Sequence, residues 1–150
     1  GLGYYARARN LRAAARIIVA EHGGRFPRDP KSVRGLPGFG PYTTAAVLSL
    51  AFGEPLPVID ANVRRVVMRL GRMPGKAGPD KDAAIMEHLR AVFPAKRPGA
   101  FNQAMMELGA LICKPAGPLC IQCPVQKFCM AFAARAMPLM RTSSIKPTQF

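Results

Sequence analysis

Apolar and polar positions recur with a helical period along most of the chain. From about Tyr5 to His22, Leu11, Ala14, Ile18 and Val19 share one predicted face, and Arg9, Arg12 and Arg16 share another. Gly23-Gly24 ends that element. Asp29-Pro30 is a start signal, a capping carboxylate before proline, for a short helix ending at Gly35. Next comes the turn Leu36-Pro37-Gly38-Phe39-Gly40-Pro41, with glycine at both flexible positions, then a helix from Tyr42 to about Phe52. Pro55 and Pro57 keep the following stretch extended. Asp60 caps a helix from Ala61 to about Leu70, with an apolar stripe of Val63, Val66, Val67 and Leu70. Beyond a Pro- and Gly-rich loop, Asp80 and Asp82 open a helix through Phe93. Another runs from about Gly99 to Cys113, and a last one from about Val125 to Ala136. Nothing alternates with the period of a strand, so the predicted fold class is all-α, without internal repeats. The polar, aperiodic residues 137–150 read as tail or linker.

Charge narrows the partner. The 150 residues carry 22 Lys+Arg against 8 Asp+Glu, a net charge of +14, spread over both halves of the chain. A 49 % hydrophobic content argues against disorder. The longest apolar stretch, around 43–52, falls far short of the roughly 18 residues a membrane span needs. A folded, evenly basic domain points to a polyanion, with nucleic acid foremost. An acidic membrane surface would call for a basic amphipathic terminus, which the pattern lacks. The chain opens on Gly-Leu-Gly-Tyr-Tyr without an initiator Met or signal peptide, and helical periodicity starts almost at once. It is therefore expected to be a piece of a longer protein.

All four cysteines, Cys113, Cys120, Cys123 and Cys129, fall in one window with 6-2-5 spacing. Four thiolates from one short loop can ligate zinc or a [4Fe-4S] cluster, and the chemistry alone leaves both open. A disulfide pair is the bland alternative, with no sign of secretion to support it. The unequal gaps depart from paired zinc knuckles, which show two short ones.

Two further positions carry candidate chemistry. Helix, Leu-Pro-Gly-Phe-Gly, helix is a helix–hairpin–helix layout. Gly38 and Gly40 let the backbone approach a phosphate, and the next helix aims its first N–H groups there. Alone, such a turn is commonly a plain connector; beside the net charge it reads as a DNA contact. Asp60 is at least an N-cap, worth about 1 kcal/mol. A carboxylate at the positive end of a helix also suits a group that stabilises a developing cation.

The segments GLGYYARARNL at 1–11, LPGFGPYTTAAVLSLAFG at 36–53, VIDANVRRV at 58–66, FNQAMMELGALIC at 101–113 and the cysteine loop occur together and in order. In this combination the chain resembles the adenine DNA glycosylases of the helix–hairpin–helix base-excision superfamily, over about residues 1–136. The resemblance implies a partial glycosylase domain, with the hairpin element at about 30–53 and an iron–sulfur loop at 113–129. The implied reaction is hydrolysis of the N-glycosidic bond of adenine mispaired with 8-oxoguanine or guanine, on a base flipped out of the duplex. One carboxylic acid protonates the base and a second carboxylate supports the oxocarbenium-like sugar. Asp60 matches the second carboxylate, and Asn62 the Asn that holds water and carboxylates in place. Tyr42 matches the position that orients the site in monofunctional members, where lyases carry a Schiff-base lysine. Tyr4 falls where an aromatic is wedged beside the lesion. Leu36, Gly38, Gly40 and Lys114 are the expected DNA contacts. Cys113, Cys120, Cys123 and Cys129 would hold a [4Fe-4S] cluster.

The implied partner is double-stranded DNA with an adenine mispair, read by a monomer, in the bacterial cytoplasm at the nucleoid if the source is bacterial. The family's acidic Glu lies upstream of the Gly-Leu-Gly-Tyr-Tyr segment, and Glu21, Glu54, Glu87 and Glu107 sit in no matching motif. The family's C-terminal domain that reads 8-oxoguanine has no counterpart after Met137. The 150 residues alone are therefore expected to be inactive. A thymine or uracil mismatch glycosylase, and a non-catalytic iron–sulfur DNA-binding module, are the alternatives.

Overall fold

A computed structural model describes residues 5–76 and 78–134 of the chain. Those residues form seven α-helices and no strand: α1 Tyr5–His22, α2 Pro30–Arg34, α3 Pro41–Phe52, α4 Ala61–Leu70, α5 Asp82–Val92, α6 Pro98–Glu107 and α7 Met130–Ala133. None is long and apolar enough to cross a membrane.

Local chemistry sets the boundaries. The Asp29 carboxylate accepts the Ser32 N–H at 2.7 Å and its hydroxyl at 2.9 Å, which starts α2 and holds the Asp29 carboxyl below its usual range. Proline occupies the first position of α2, α3 and α6. Gly53 closes α3 in the left-handed conformation at φ 72°, which glycine adopts without strain.

α4 is the central element. Its Val63, Val67 and Met68 form the core with Ile85 and Leu89 of α5, and Phe101, Met105 and Met106 of α6 pack against that cluster. α3 packs on both α2 and α6. A Cβ at Gly99 would stand 2.6 Å from the Ser49 carbonyl oxygen, so the start of α6 lies directly on the backbone of α3.

Three sequence expectations need correction. In α1 the inward line is Ala13, Ala14, Ile17 and Ile18, while Asn10, exposed, touches Gly38 of the hairpin. Leu11 and Val19, off that line, are 71 % and 68 % exposed. The last helix is not continuous: a 3-10 turn at Gln126–Phe128 is followed by extended backbone at Cys129, and α7 starts only at Met130. At this break the Cys129 thiol reaches the Arg69 carbonyl at 3.5 Å. The helix predicted to reach Cys113 does so by widening after Glu107 into a π-helical turn, Leu108–Ile112.

Candidate functional site

Pro57 and Val58 run extended into Asp60, whose own backbone is extended (φ −114°, ψ −175°), so its side chain folds over the first turn of α4. One carboxylate oxygen accepts the Val63 N–H at 2.7 Å. The other accepts the Asn62 side-chain amide at 3.1 Å. Asp60 is half-buried, and both oxygens are held in place from the protein side.

Asn62 joins this carboxylate to a buried cation. Its Oδ1 accepts from Arg65 at 2.9 Å, and Arg65 also donates to the Gly109 carbonyl at 2.7 Å and the Cys113 carbonyl at 2.7 Å. The π turn makes the Gly109 acceptor available. In an α-helix the Cys113 N–H would bond to Gly109, but here it bonds to Leu108 at 2.7 Å. Burial pulls the Arg65 guanidinium down from its ordinary value. One turn along α4, Arg69 is 2 % exposed and donates to the carbonyls of Cys113, Lys114 and Pro115 and to the Cys113 Sγ at 3.3 Å.

Cys113, Cys120, Cys123 and Cys129 line a single cleft together with Ile112, Pro118, Gln126 and Phe132. All four are free thiols, and each is half-buried. Burial pushes the Cys120 thiol up, and the charges of Cys113, Cys129 and Cys123 push it the same way. Four thiols therefore share one cleft, with Arg69 at the Cys113 sulfur. Among the described residues, no group of three or more His, Cys, Asp or Glu side chains is placed to hold a metal ion.

In the hairpin, Gly38 has φ 82°, and the Phe39 N–H closes the turn on the Leu36 carbonyl at 3.0 Å. The Leu36 side chain is buried, so this residue anchors the turn from below and presents only backbone. Phe39 packs on Phe26, which stacks on Phe52 at 5.6 Å. Gly40 is exposed at the head of α3, and no atom lies within 4 Å of where its Cβ would be. Tyr42, also exposed, directs its hydroxyl to the Met106 sulfur at 3.8 Å. Lys114 exposes its side chain while its carbonyl accepts from Arg69. Tyr4 lies outside the described residues.

Asp60 and Asn62 are thus joined directly, the four cysteines share one cleft, and Arg65 links the two sites. Tyr42 meets neither Asp60 nor Asn62 in a hydrogen bond; its tie is to α6. Sequence reasoning missed Arg65 and Arg69. They lie opposite the valine stripe of α4, where a solvated face is the default, and they are buried only because the cysteine loop covers that face. It also missed Asn102, buried between α3 and the extended stretch.

A glycine hairpin between short helices, a capped carboxylate at the head of the next helix and a cysteine loop behind it define a class. The chain matches the model of the HhH-GPD superfamily of base excision DNA repair proteins over residues 1–95, and it belongs to that family. Its relatives are DNA glycosylases. It is 45 % identical over 138 residues to the adenine DNA glycosylase of Homo sapiens, covering 87 % of this chain and 24 % of that enzyme. A thermostable thymine-DNA glycosylase superposes with a TM-score of 0.73 at 34 % identity, covering 89 % of this chain and 61 % of that one. A trapped covalent intermediate of endonuclease III with DNA, an estranged-adenine complex, superposes with a TM-score of 0.72 at 29 % identity, covering 90 % and 62 %. The chain spans about a quarter of the human enzyme's length.

Proposed function

We propose that the chain is the hairpin, carboxylate and cluster portion of a monofunctional adenine DNA glycosylase, acting on adenine mispaired with 8-oxoguanine or guanine. The observation that carries this reading is Asp60. Val63 N–H and Asn62 fix both of its oxygens, and no lysine stands at the head of α3, where Tyr42 is.

In this reading the hairpin backbone at Gly38 and Gly40 takes a phosphate, with Lys114 contributing a second cationic contact. The target adenine is flipped out of the duplex. As the glycosidic bond breaks, positive charge grows on the sugar, and the Asp60 carboxylate faces it at a geometry set in advance. Asn62 holds the second oxygen of that carboxylate. The acid that protonates the base is assigned to an upstream helix, so the 150 residues alone are expected to bind DNA without turnover.

Cys113, Cys120, Cys123 and Cys129 would hold a [4Fe-4S] cluster, which when bound cross-links the loop. Four free thiols lining one cleft, with an arginine at one sulfur, support this. The unequal 6-2-5 gaps favour the cluster over paired zinc knuckles, and a cluster takes one thiolate per iron.

The test is single-turnover cleavage by a chain extended upstream to include the acid. Substrates are duplexes with adenine, thymine or uracil opposite guanine or 8-oxoguanine. Adenine release is expected. Release of thymine or uracil instead would support the mismatch reading, which the likeness to the thymine-DNA glycosylase favours. Binding with no release of any base would leave a non-catalytic module.

A further inference from the structure

We propose that Asn102 is a positioning residue for the Asp60 carboxylate, holding from α6 the extended segment that delivers it. This rests on the reading of Asp60 given above. Asn102 is 2 % exposed, and its amide spans three neighbours. The side-chain oxygen accepts the Val58 N–H at 3.1 Å. The nitrogen donates to the Leu56 carbonyl at 2.8 Å and to the Ser49 hydroxyl at 2.8 Å.

The three bonds have different consequences. Leu56 and Val58 flank Pro57, which has no N–H, so this stretch cannot pair its backbone as a strand would. The Asn102 amide pairs it instead, donating to the Leu56 carbonyl and accepting the Val58 N–H. Val58 is two residues before Asp60 and is buried, so its position fixes where the chain turns into α4. The Ser49 bond ties the same amide to α3, whose first turn holds Tyr42. One turn further along α6, Met106 receives the Tyr42 hydroxyl at 3.8 Å. α6 is thus a common beam behind two site residues that do not touch each other through hydrogen bonds. An aspartate at 102 would lack the donor that Leu56 needs, and alanine would lack every partner. Alanine would leave the Val58 donor and the Leu56 acceptor unsatisfied, and aspartate the Leu56 acceptor alone, next to the segment that sets Asp60.

The experiment separates positioning from folding by reading a ratio of affinities. The 150-residue chain is titrated with two duplexes that differ only at the target sugar. One carries a pyrrolidine, positively charged at neutral pH, and the other an uncharged tetrahydrofuran. A placed carboxylate favours the first, and this preference is the readout; general loss of fold or of hairpin contacts lowers both affinities alike. Asn102→Ala and Asn102→Asp are compared with Asp60→Asn and with Ile85→Val, a core change in α5 that destabilises without touching the segment. Asn102→Ser serves if the first two do not fold. The expected result is a cation preference that falls about tenfold in the Asn102 variants and in Asp60→Asn, and persists in Ile85→Val at a comparable melting loss. Loss in Asp60→Asn with retention in the folded Asn102 variants would overturn the positioning role alone. No preference in the unmodified chain, or none lost in Asp60→Asn, would overturn the reading of Asp60 and this inference with it.

Discussion

Gly109 meets Asn62 where the π turn after α6 crosses the first turn of α4, so closely that a Cβ on Gly109 would stand 2.6 Å from the Cβ of Asn62. Backbone atoms of Asn62 lie at 3.0 Å from the same point, so no side-chain rotation relieves the overlap. Only glycine permits the crossing. The crossing in turn brings the Gly109 carbonyl within reach of Arg65, and Arg65 within reach of Asn62.

Gly109→Ala is therefore expected to push α4 and the π turn apart. Overpacking of this kind costs about 1–3 kcal/mol. Denaturant unfolding should show that loss. Because the Arg65 bonds depend on the same approach, iron retention should fall with it. Wild-type stability in Gly109→Ala would mean that the two segments are not held in contact in solution.

Arg65 is the next link. It is 4 % exposed and satisfies the carbonyls of Gly109 and Cys113 together. Arg65→Met leaves the Gly109 carbonyl buried without its donor and the Cys113 carbonyl with only the longer Arg69 bond, a loss of about 1–3 kcal/mol. Arg65→Lys should rescue little, since a single ammonium cannot reproduce the fork that spans three acceptors. Thermal melts of the two variants check this: full rescue by lysine would show that charge, not the fork, matters there.

The elements of the fold were largely legible in the sequence, and the reasons are local. Asp29-Pro30, Gly53 and Asp60 are start and stop signals whose action depends on immediate neighbours, and the helices begin or end beside them. The facing of α1 was legible only in part: Ala14 and Ile18 turn inward as the period predicts, but Leu11 and Val19 do not. The break at Cys129, whose thiol meets the Arg69 carbonyl, was not legible in an otherwise helical pattern. At the candidate site, the resemblance marked Asp60 and Asn62, which share a hydrogen bond. Arg65, Arg69 and Asn102 gave no signal, since a buried polar side chain is recognised by its partners, and those partners lie some 40 or more residues away.

The hairpin yields a binding prediction. Log affinity for duplex DNA should fall linearly with log salt, by roughly 0.9 per phosphate neutralised. Gly38→Val should weaken all duplexes alike. The position has φ 82°, and a Cβ there would press on Asn10 at 3.0 Å, so the turn must rearrange. A variant that lost affinity for one sequence only would place base recognition, not phosphate contact, at the turn.

The cysteine cleft predicts a brown protein after anaerobic purification, with about four irons per chain. Replacing any one of Cys113, Cys120, Cys123 or Cys129 with serine should lower the iron content and the melting temperature together. Stoichiometric zinc without iron in the same preparation would refute the cluster.

Asp60 allows a sharp separation of cap from catalyst. Asn caps a helix about as well as Asp, so Asp60→Asn should keep the bond to Val63 N–H and melt within about 0.5 kcal/mol of the parent. Its amide cannot neutralise a developing sugar cation or form a covalent bond to the sugar. In a chain extended upstream to supply the acid, with adenine opposite 8-oxoguanine as substrate, single-turnover cleavage should drop at least about a hundredfold. That corresponds to roughly 2.7 kcal/mol or more of lost transition-state stabilisation. Asn62→Ala should fall between the two, because it frees one carboxylate oxygen to rotate while the Val63 bond still holds the other. The order of rates, parent above Asn62→Ala above Asp60→Asn with near-equal melting of parent and Asp60→Asn, is what a preset carboxylate requires. Parent-like cleavage by Asp60→Asn would reduce the residue to a helix cap and move the cation-stabilising role elsewhere in the protein.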